Sequence, residues 1–191
     1  MNPILGASLL ACAVASTSCT LFTSHSCTGI VAICDQTTIT LHSPNNAWSA
    51  GVYTLDLNID GRATQCTLSI ADPPPTGIVQ GTCSATDITF TLAQLCPQPQ
   101  PTCNDAGACG RLASSANCIA GQFQMTVSVL PHGFGTDAAS GLASQVSIDL
   151  SVDGRALVNE TIAPKATTTE PSGAGCGTCT NASATVSVAG A

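Results

Sequence analysis

Three sets of residues in this chain have types and spacings that could carry chemistry. The first is Cys176-Gly177-Thr178-Cys179, a C-x-x-C pair. Such a pair serves either as a redox dithiol or as half of a zinc site. A zinc site needs a second ligand pair of similar spacing, and the sequence has none. A redox pair normally opens a helix after a strand, whereas turn and strand residues flank this one. The pair therefore reads as a local structural bridge, Cys176–Cys179, with redox chemistry as the rival.

The second set is acidic. Asp56, Asp60, Asp149 and Asp153 recur at matched positions and could in principle hold Ca²⁺. The plainer reading is turn chemistry for Asp60 and Asp153, because each precedes a glycine and Asp tolerates the left-handed region. Asp56 and Asp149 fall on the polar side of their strands. The third set is scattered. His25, His42 and His132 stand in no H-E-x-x-H motif, and no serine lies in a G-x-S-x-G elbow. Trp48 and Tyr53 are the sole Trp and Tyr. Tyr53 is in phase with the apolar side of its strand, which leaves Trp48 as the binding candidate, with a core plug as its other role. Asn159-Glu160-Thr161 and Asn181-Ala182-Ser183 match the glycosylation sequon, which has meaning only in a eukaryotic secretory pathway.

The elements that must position these residues are legible from alternation. Residues 55–63, Leu-Asp-Leu-Asn-Ile-Asp-Gly-Arg-Ala, and residues 148–156, Ile-Asp-Leu-Ser-Val-Asp-Gly-Arg-Ala, are identical at six of nine positions. Each predicts a strand, an Asp-Gly turn and a return strand. A two-residue turn at Asp60-Gly61 sets Leu55 opposite Cys66 and Tyr53 opposite Leu68, which keeps one apolar side throughout. Further alternating runs are Thr37–His42, Thr126–Val129, Ile88–Leu92 and Ala184–Val188. Gly81-Thr82-Cys83 and Gly177-Thr178-Cys179 each stand five residues before such a run. Two matches in the same order predict an internal duplication. In the second unit Asn159 takes the place of Cys66, so a Cys66–Cys83 bridge is expected in the first unit alone.

The expected fold is all-β, a disulfide-rich antiparallel β-sandwich built from two four-stranded units. Residues 1–18 read as an export signal, 19–28 as a tether, 29–92 as the first unit, 93–118 as a Cys-rich connector and 119–191 as the second unit. Within the connector, Cys96–Cys103 and Cys109–Cys118 are the neighbour pairings. Cys27 and Cys34 pair either with each other or across the sheet.

Composition limits function. Charged residues make up 8% of the chain, so its surface must be built largely of hydroxyls and small side chains. Four basic residues against eleven acidic ones leave no basic patch for nucleic acid and disfavour anionic membrane surfaces. Twelve cysteines, dispersed and mostly without metal-ligand spacing, indicate an oxidising compartment. The apolar run over residues 4–15 is too short to span a bilayer and fits the apolar region of an export signal. Cleavage before Cys19, with lipid on that residue, leaves an even set of ten cysteines, Cys27, Cys34, Cys66, Cys83, Cys96, Cys103, Cys109, Cys118, Cys176 and Cys179. Cys12 is the competing lipidation position, and Ala13-Val14-Ala15 fits ordinary cleavage.

The early Cys34, the Gly51-Val52-Tyr53 strand start, the Asp60-Gly61 and Asp153-Gly154 hairpins and the tail Glu170-Pro171-Ser172-Gly173-Ala174-Gly175-Cys176-Gly177-Thr178-Cys179 give the chain a layout that resembles uncharacterised Cys-rich exported, lipoprotein-like bacterial proteins. That resemblance brings no activity and no catalytic residues. At fold level the hairpins are similar to those of immunoglobulin-like and transthyretin-like sandwiches. Together these readings imply a non-enzymatic exported protein of binding or structural type, without cofactor. It would sit in the periplasm, at the outer membrane or cell surface through a lipid-bearing cysteine, or outside the cell, with a protein or glycan partner. The rivals are a redox protein or enzyme using Cys176 and Cys179, and a secreted inhibitor presenting the Cys96–Cys118 loop.

Overall fold

The computed structural model describes residues 34–96, 102–103, 109–110, 118–131, 141–170 and 177–190. Among these residues thirteen strands run in order: β1 Thr37–His42, β2 Gly51–Ile59, β3 Arg62–Ile70, β4 Ile78–Gln80, β5 Thr82–Cys83, β6 Ile88–Gln94, β7 Thr102–Cys103, β8 Cys109–Gly110, β9 Phe123–Val129, β10 Val146–Val152, β11 Arg155–Ile162, β12 Lys165–Thr169 and β13 Cys179–Ser187. The all-β expectation holds, and the strands follow the alternating runs because period-two patterning suits a sheet with one buried face. At both hairpin tips the Asp and the Gly adopt positive φ: 48° and 90° at Asp60-Gly61, 48° and 80° at Asp153-Gly154. That conformation makes the two-residue turn whose twist matches the flanking strands, which is why Asp and Gly stand there.

Two sheets form. One has the order β12-β13-β1-β9-β6-β4 and the other β11-β10-β2-β3-β5, while β7 and β8 pair separately. Strands from 34–96 and from 118–190 contribute to both sheets, so neither stretch builds a sheet alone. Buried residues of both sheets, among them Tyr53, Leu55, Ile148 and Leu150 from one and Ile39, Phe90, Met125 and Val127 from the other, belong to one apolar core. With so few charged side chains available, that shared burial must supply most of the stabilisation.

The β2–β3 register sets Leu55 opposite Cys66 and Tyr53 opposite Leu68. Across the middle of the same sheet, β2 and β10 run antiparallel, with Leu55 opposite Leu150, Asp56 opposite Asp149 and Leu57 opposite Ile148. In the other sheet β1 and β9 meet antiparallel, with Ile39 opposite Val127.

Four expectations need correction. The pairing is not uniformly antiparallel, since β13 runs parallel to β1, with Ile39 beside Ala184 and Leu41 beside Val186. Cys179, at the start of β13, is bonded to Cys34 and not to Cys176. The parallel course explains this: it brings the first residue of β13 beside the entry to β1, where the Asp35 amide also donates to the Thr180 carbonyl at 2.7 Å. In the connector, Cys96 is bonded to Cys118, which overturns both neighbour pairings, Cys96–Cys103 and Cys109–Cys118. Leu95 accepts from the Ile119 amide at 2.8 Å and donates to the Gln122 carbonyl at 2.9 Å, so the two ends of the connector are held together. Finally, the β10–β11 ladder shifts register between Leu150 and Ser151, and Leu157 has no partner in it. This bulge moves every later residue by one. Asn159 therefore stands opposite Asp149 and matches Gln65, while Glu160, opposite Ile148, holds the place of Cys66.

Candidate functional site

The repeated acids come together where the two hairpins join. Gln65, Asp56, Asp149 and Asn159 form one row across β3, β2, β10 and β11. All four are exposed. Like charges directly opposite each other destabilise a sheet, and here each carboxylate is held by an amide on its outer flank. Gln65 Nε2 donates to Asp56 Oδ1 at 2.8 Å, and Asn159 Nδ2 donates to Asp149 Oδ2 at 3.0 Å. A shallow recess of about 270 Å³ lies along the row, lined also by Asn58, Ala63 and Ser147. Among the described residues no group of three or more His, Cys, Asp or Glu side chains is placed to hold a metal ion. The row offers negative charge and hydrogen-bond acceptors, but no nucleophile paired with a base.

Asp60 and Asp153 do more than form turns. The Asp60 amide donates to the Gln145 carbonyl at 3.1 Å, and the Gln145 amide donates back to Asp60 Oδ1 at 2.8 Å. Likewise the Asp153 amide donates to the Val52 carbonyl and the Val52 amide donates to Asp153 Oδ1, both at 2.9 Å. Val52 and Gln145 are themselves matched positions, 93 residues apart like the aspartates. Each hairpin tip thus clamps the entry strand of the other hairpin. Asp60 is held more tightly, because Ser144 adds its hydroxyl at 2.5 Å and its amide at 3.0 Å. The Ser144 hydroxyl and then the Ser144 amide keep the Asp60 carboxyl below its ordinary value against an upward push from burial, with the Gln145 amide adding the smallest share. Sequence reasoning missed these clamps. The only available signal was the turn motif itself, repeated 93 residues apart.

The arginines that follow the turns have separated in role. Arg155 donates to the Gly190 carbonyl at 2.8 Å. Arg62, 43% exposed, forms an ion pair with Asp87, whose side chain is 4% exposed. Beside that pair, at the Ile59 end of the core, is a pocket of about 280 Å³.

Trp48 is not a surface platform. It is 5% exposed. Its Nε1 donates to the Phe123 carbonyl at 3.2 Å, and its ring meets Tyr53 edge-to-face at 5.8 Å between centroids. The Tyr53 hydroxyl in turn donates to the Ser49 carbonyl at 2.9 Å. These are the satisfied polar tips of a buried aromatic pair, so Trp48 takes its core-plug role.

Cys66 is bonded to Cys83, which ties β3 to β5 as the register requires. Cys103 stands opposite Cys109 in the β7–β8 ladder. The lipidation candidates Cys12 and Cys19, together with Cys27, Cys176, His25 and His132, lie outside the described residues. His42 is exposed at the end of β1, and no described serine, threonine or acid is hydrogen-bonded to its ring. No helix among the described residues is long and apolar enough to cross a membrane. The three disulfides among the described residues indicate an oxidising, extracytoplasmic environment. Compared with known proteins, the chain matches no family model, no curated protein and no solved structure.

Proposed function

We propose that this is a non-enzymatic exported protein of binding or structural type, folded as a β-sandwich from an internal duplication and tethered at the cell envelope through lipidated Cys19. The observation that carries the reading is the reciprocal clamp: Asp60 and Asp153, two of the four repeated acids, are engaged in joining the two hairpins. Matched residues meeting each other at Asp56/Asp149 and at Ile39/Val127 support an approximate two-fold relation between the units. Divergence is concentrated in β13, which pairs parallel with β1 where its counterpart β6 pairs antiparallel with β9. The rival redox reading must reckon with Cys179 being 2% exposed and bonded to Cys34. The inhibitor reading draws on the Cys96–Cys118 bond, which joins the two ends of the connector and lines one recess with the exposed Ile78.

Protein purified with its disulfides intact tests this. Exposure to broad hydrolase and oxidoreductase substrate panels should give no turnover, and thiol labelling without reductant should find no reactive pair. Sustained turnover, or a Cys34–Cys179 bond that opens under thioredoxin-strength reductant, would overturn the non-enzymatic reading. Intact-mass measurement of membrane-extracted protein should show lipid on Cys19, and a soluble chain cleaved after Ala15 would remove the tether.

A further inference from the structure

Four strands end the two main sheets: β12 and β4 in one, β11 and β5 in the other. Three of them are ill suited to take a partner. β4 has three residues and β5 has two. β11 is longer, but it carries the bulge beside Leu157 and the exposed Glu160. Short strands, bulges and exposed charges are the usual means of closing a sheet edge. β12 has neither a bulge nor an acid. Its five residues, Lys165-Ala166-Thr167-Thr168-Thr169, are all exposed and pair with β13 without a break in register. Three of the five are threonine, a residue that favours strands.

The bonds of β13 fix which backbone groups of β12 are free. The Asp35 amide donates to the Thr180 carbonyl at 2.7 Å, and the Ala182 amide donates to the Gln36 carbonyl at 2.9 Å. Thr180 and Ala182 therefore turn their backbone groups toward β1. Alternate residues of a strand turn theirs the opposite way, so Cys179, Asn181 and Ser183 face β12, opposite Thr169, Thr167 and Lys165. The amides and carbonyls of Ala166 and Thr168 are left pointing off the edge. The Thr168 and Thr180 hydroxyls meet at 2.9 Å, as suits the closer, non-hydrogen-bonded pair of an antiparallel ladder.

Charge indicates what approaches this edge. The chain carries a net charge of −7. On such a molecule Glu160 at the β11 edge repels a second copy, whereas Lys165 at the β12 edge attracts one. Two other cations are already engaged: Arg62 is paired with Asp87, and Arg155 donates to the Gly190 carbonyl. Lys165 makes no ion pair with a described carboxylate.

We infer that β12 is a self-association edge, on which two copies of this chain pair antiparallel about a two-fold axis through Thr167. The free groups of β12 are self-complementary in that register. Ala166 exchanges two backbone hydrogen bonds with Thr168 of the partner subunit, and Thr168 does the same with Ala166 of the partner subunit. Thr167 meets Thr167 of the partner subunit, a favourable cross-strand pair. Lys165 lies opposite Thr169 of the partner subunit, one residue from Glu170 of the partner subunit, at both ends of the contact. Two five-residue edges bury less than the ~1,200–2,000 Å² of a stable interface, so the dimer is a weak one. The inference goes beyond the proposed function and does not depend on it, because the edge is far from any chemistry.

Sedimentation of the full disulfide-bonded chain tests this. A concentration series up to about 1 mM should show reversible monomer–dimer exchange, as a small interface requires. Amide hydrogen exchange over the same series should slow at Ala166 and Thr168 as the dimer forms and stay constant at Thr167, whose amide already faces β13. Ala166→Pro removes one outward N–H and spares the β13 ladder, since proline fits an edge strand where its nitrogen faces away from the sheet; it should weaken the dimer at least tenfold. Lys165→Glu leaves the backbone alone, gives β12 the charge that guards β11, and should weaken the dimer about threefold. If the proline variant does not fold, the glutamate variant decides. The inference fails if the chain stays monomeric at about 1 mM, if a dimer forms without slowing exchange at Ala166 and Thr168, or if the folded variants pair as well as the parent.

Discussion

The two Asp-Gly hairpins share six of nine residues and both tips adopt the same turn, yet they have different return strands. In the first hairpin β3 is regular, is followed in the sheet by β5 and is fastened to it by Cys66–Cys83. In the second, β11 is an edge. It carries the Leu157 bulge and the exposed Glu160 where the first hairpin has a buried cysteine. An open edge invites pairing with another chain, and a bulge with an exposed charge discourages it. The same motif can therefore serve an interior and an edge position, and the residues after the turn decide which. The Gly-Thr-Cys repeat follows the same pattern. Cys83 closes a separation of 17 residues, whereas Cys179 closes one of 145.

That contrast sets the largest expected effect. In the chain-entropy model the long closure stabilises by ~5 kcal/mol and the short one by ~3 kcal/mol. Paired Ala substitutions at Cys34 and Cys179 should lower the unfolding free energy in urea more than paired substitutions at Cys66 and Cys83. The reverse order would break the comparison between the two Gly-Thr-Cys cysteines. The ends of the core come next. Trp48→Ala removes a buried ring and should cost ~3–5 kcal/mol. Val146→Ala, at the position matching Tyr53 in the other end, should cost less, about 1–2 kcal/mol, because fewer buried atoms are lost.

The clamps should show a smaller difference. Asp60→Ala removes three hydrogen bonds and Asp153→Ala removes one, so the first should cost about 2 kcal/mol and the second about 1 kcal/mol by thermal or urea unfolding. Asp60 also makes a pH prediction. Its carboxyl is held below its ordinary value in the folded state, so its contribution is complete above pH ~4 and is lost as pH falls through the folded value. Asp60→Asn should flatten the fall of stability on acidification below pH ~4. The smallest effect belongs to the acid row. Asp56→Asn relieves the repulsion from Asp149 and should stabilise by a few tenths of a kcal/mol at low salt, fading as salt is added.

Much of this was legible in the sequence because it is local. Alternation placed the strands, the Asp-Gly pairs placed the turns, and the first hairpin's register followed from keeping Tyr53, Leu55, Leu68 and Cys66 on one side. What was not legible depended on partners distant in the chain. Nothing near Cys179 announces Cys34, since the parallel course of β13 that brings them together is a property of the whole sheet. The bulge at Leu157 follows a motif identical to one with no bulge, so matching by position put Asn159 in the place of Cys66 where the structure puts Glu160. Trp48 looked equally suited to surface and core, and only its partners Tyr53 and Phe123 settle which. The Asp60 and Asp153 clamps needed knowledge that β2 and β10 are neighbours.

That neighbour relation underlies the central proposal, that Asp60 and Asp153 serve to join the two hairpins. Cross-strand nuclear Overhauser effects in the intact protein test it most directly. Contacts between the strand containing Leu55, Asp56 and Leu57 and the strand containing Leu150, Asp149 and Ile148, with the Val52 and Gln145 amides both protected from exchange, are the expected result. If β2 and β10 show no contacts with each other, or both amides exchange freely, the clamps do not exist and the acids are again candidates for a site.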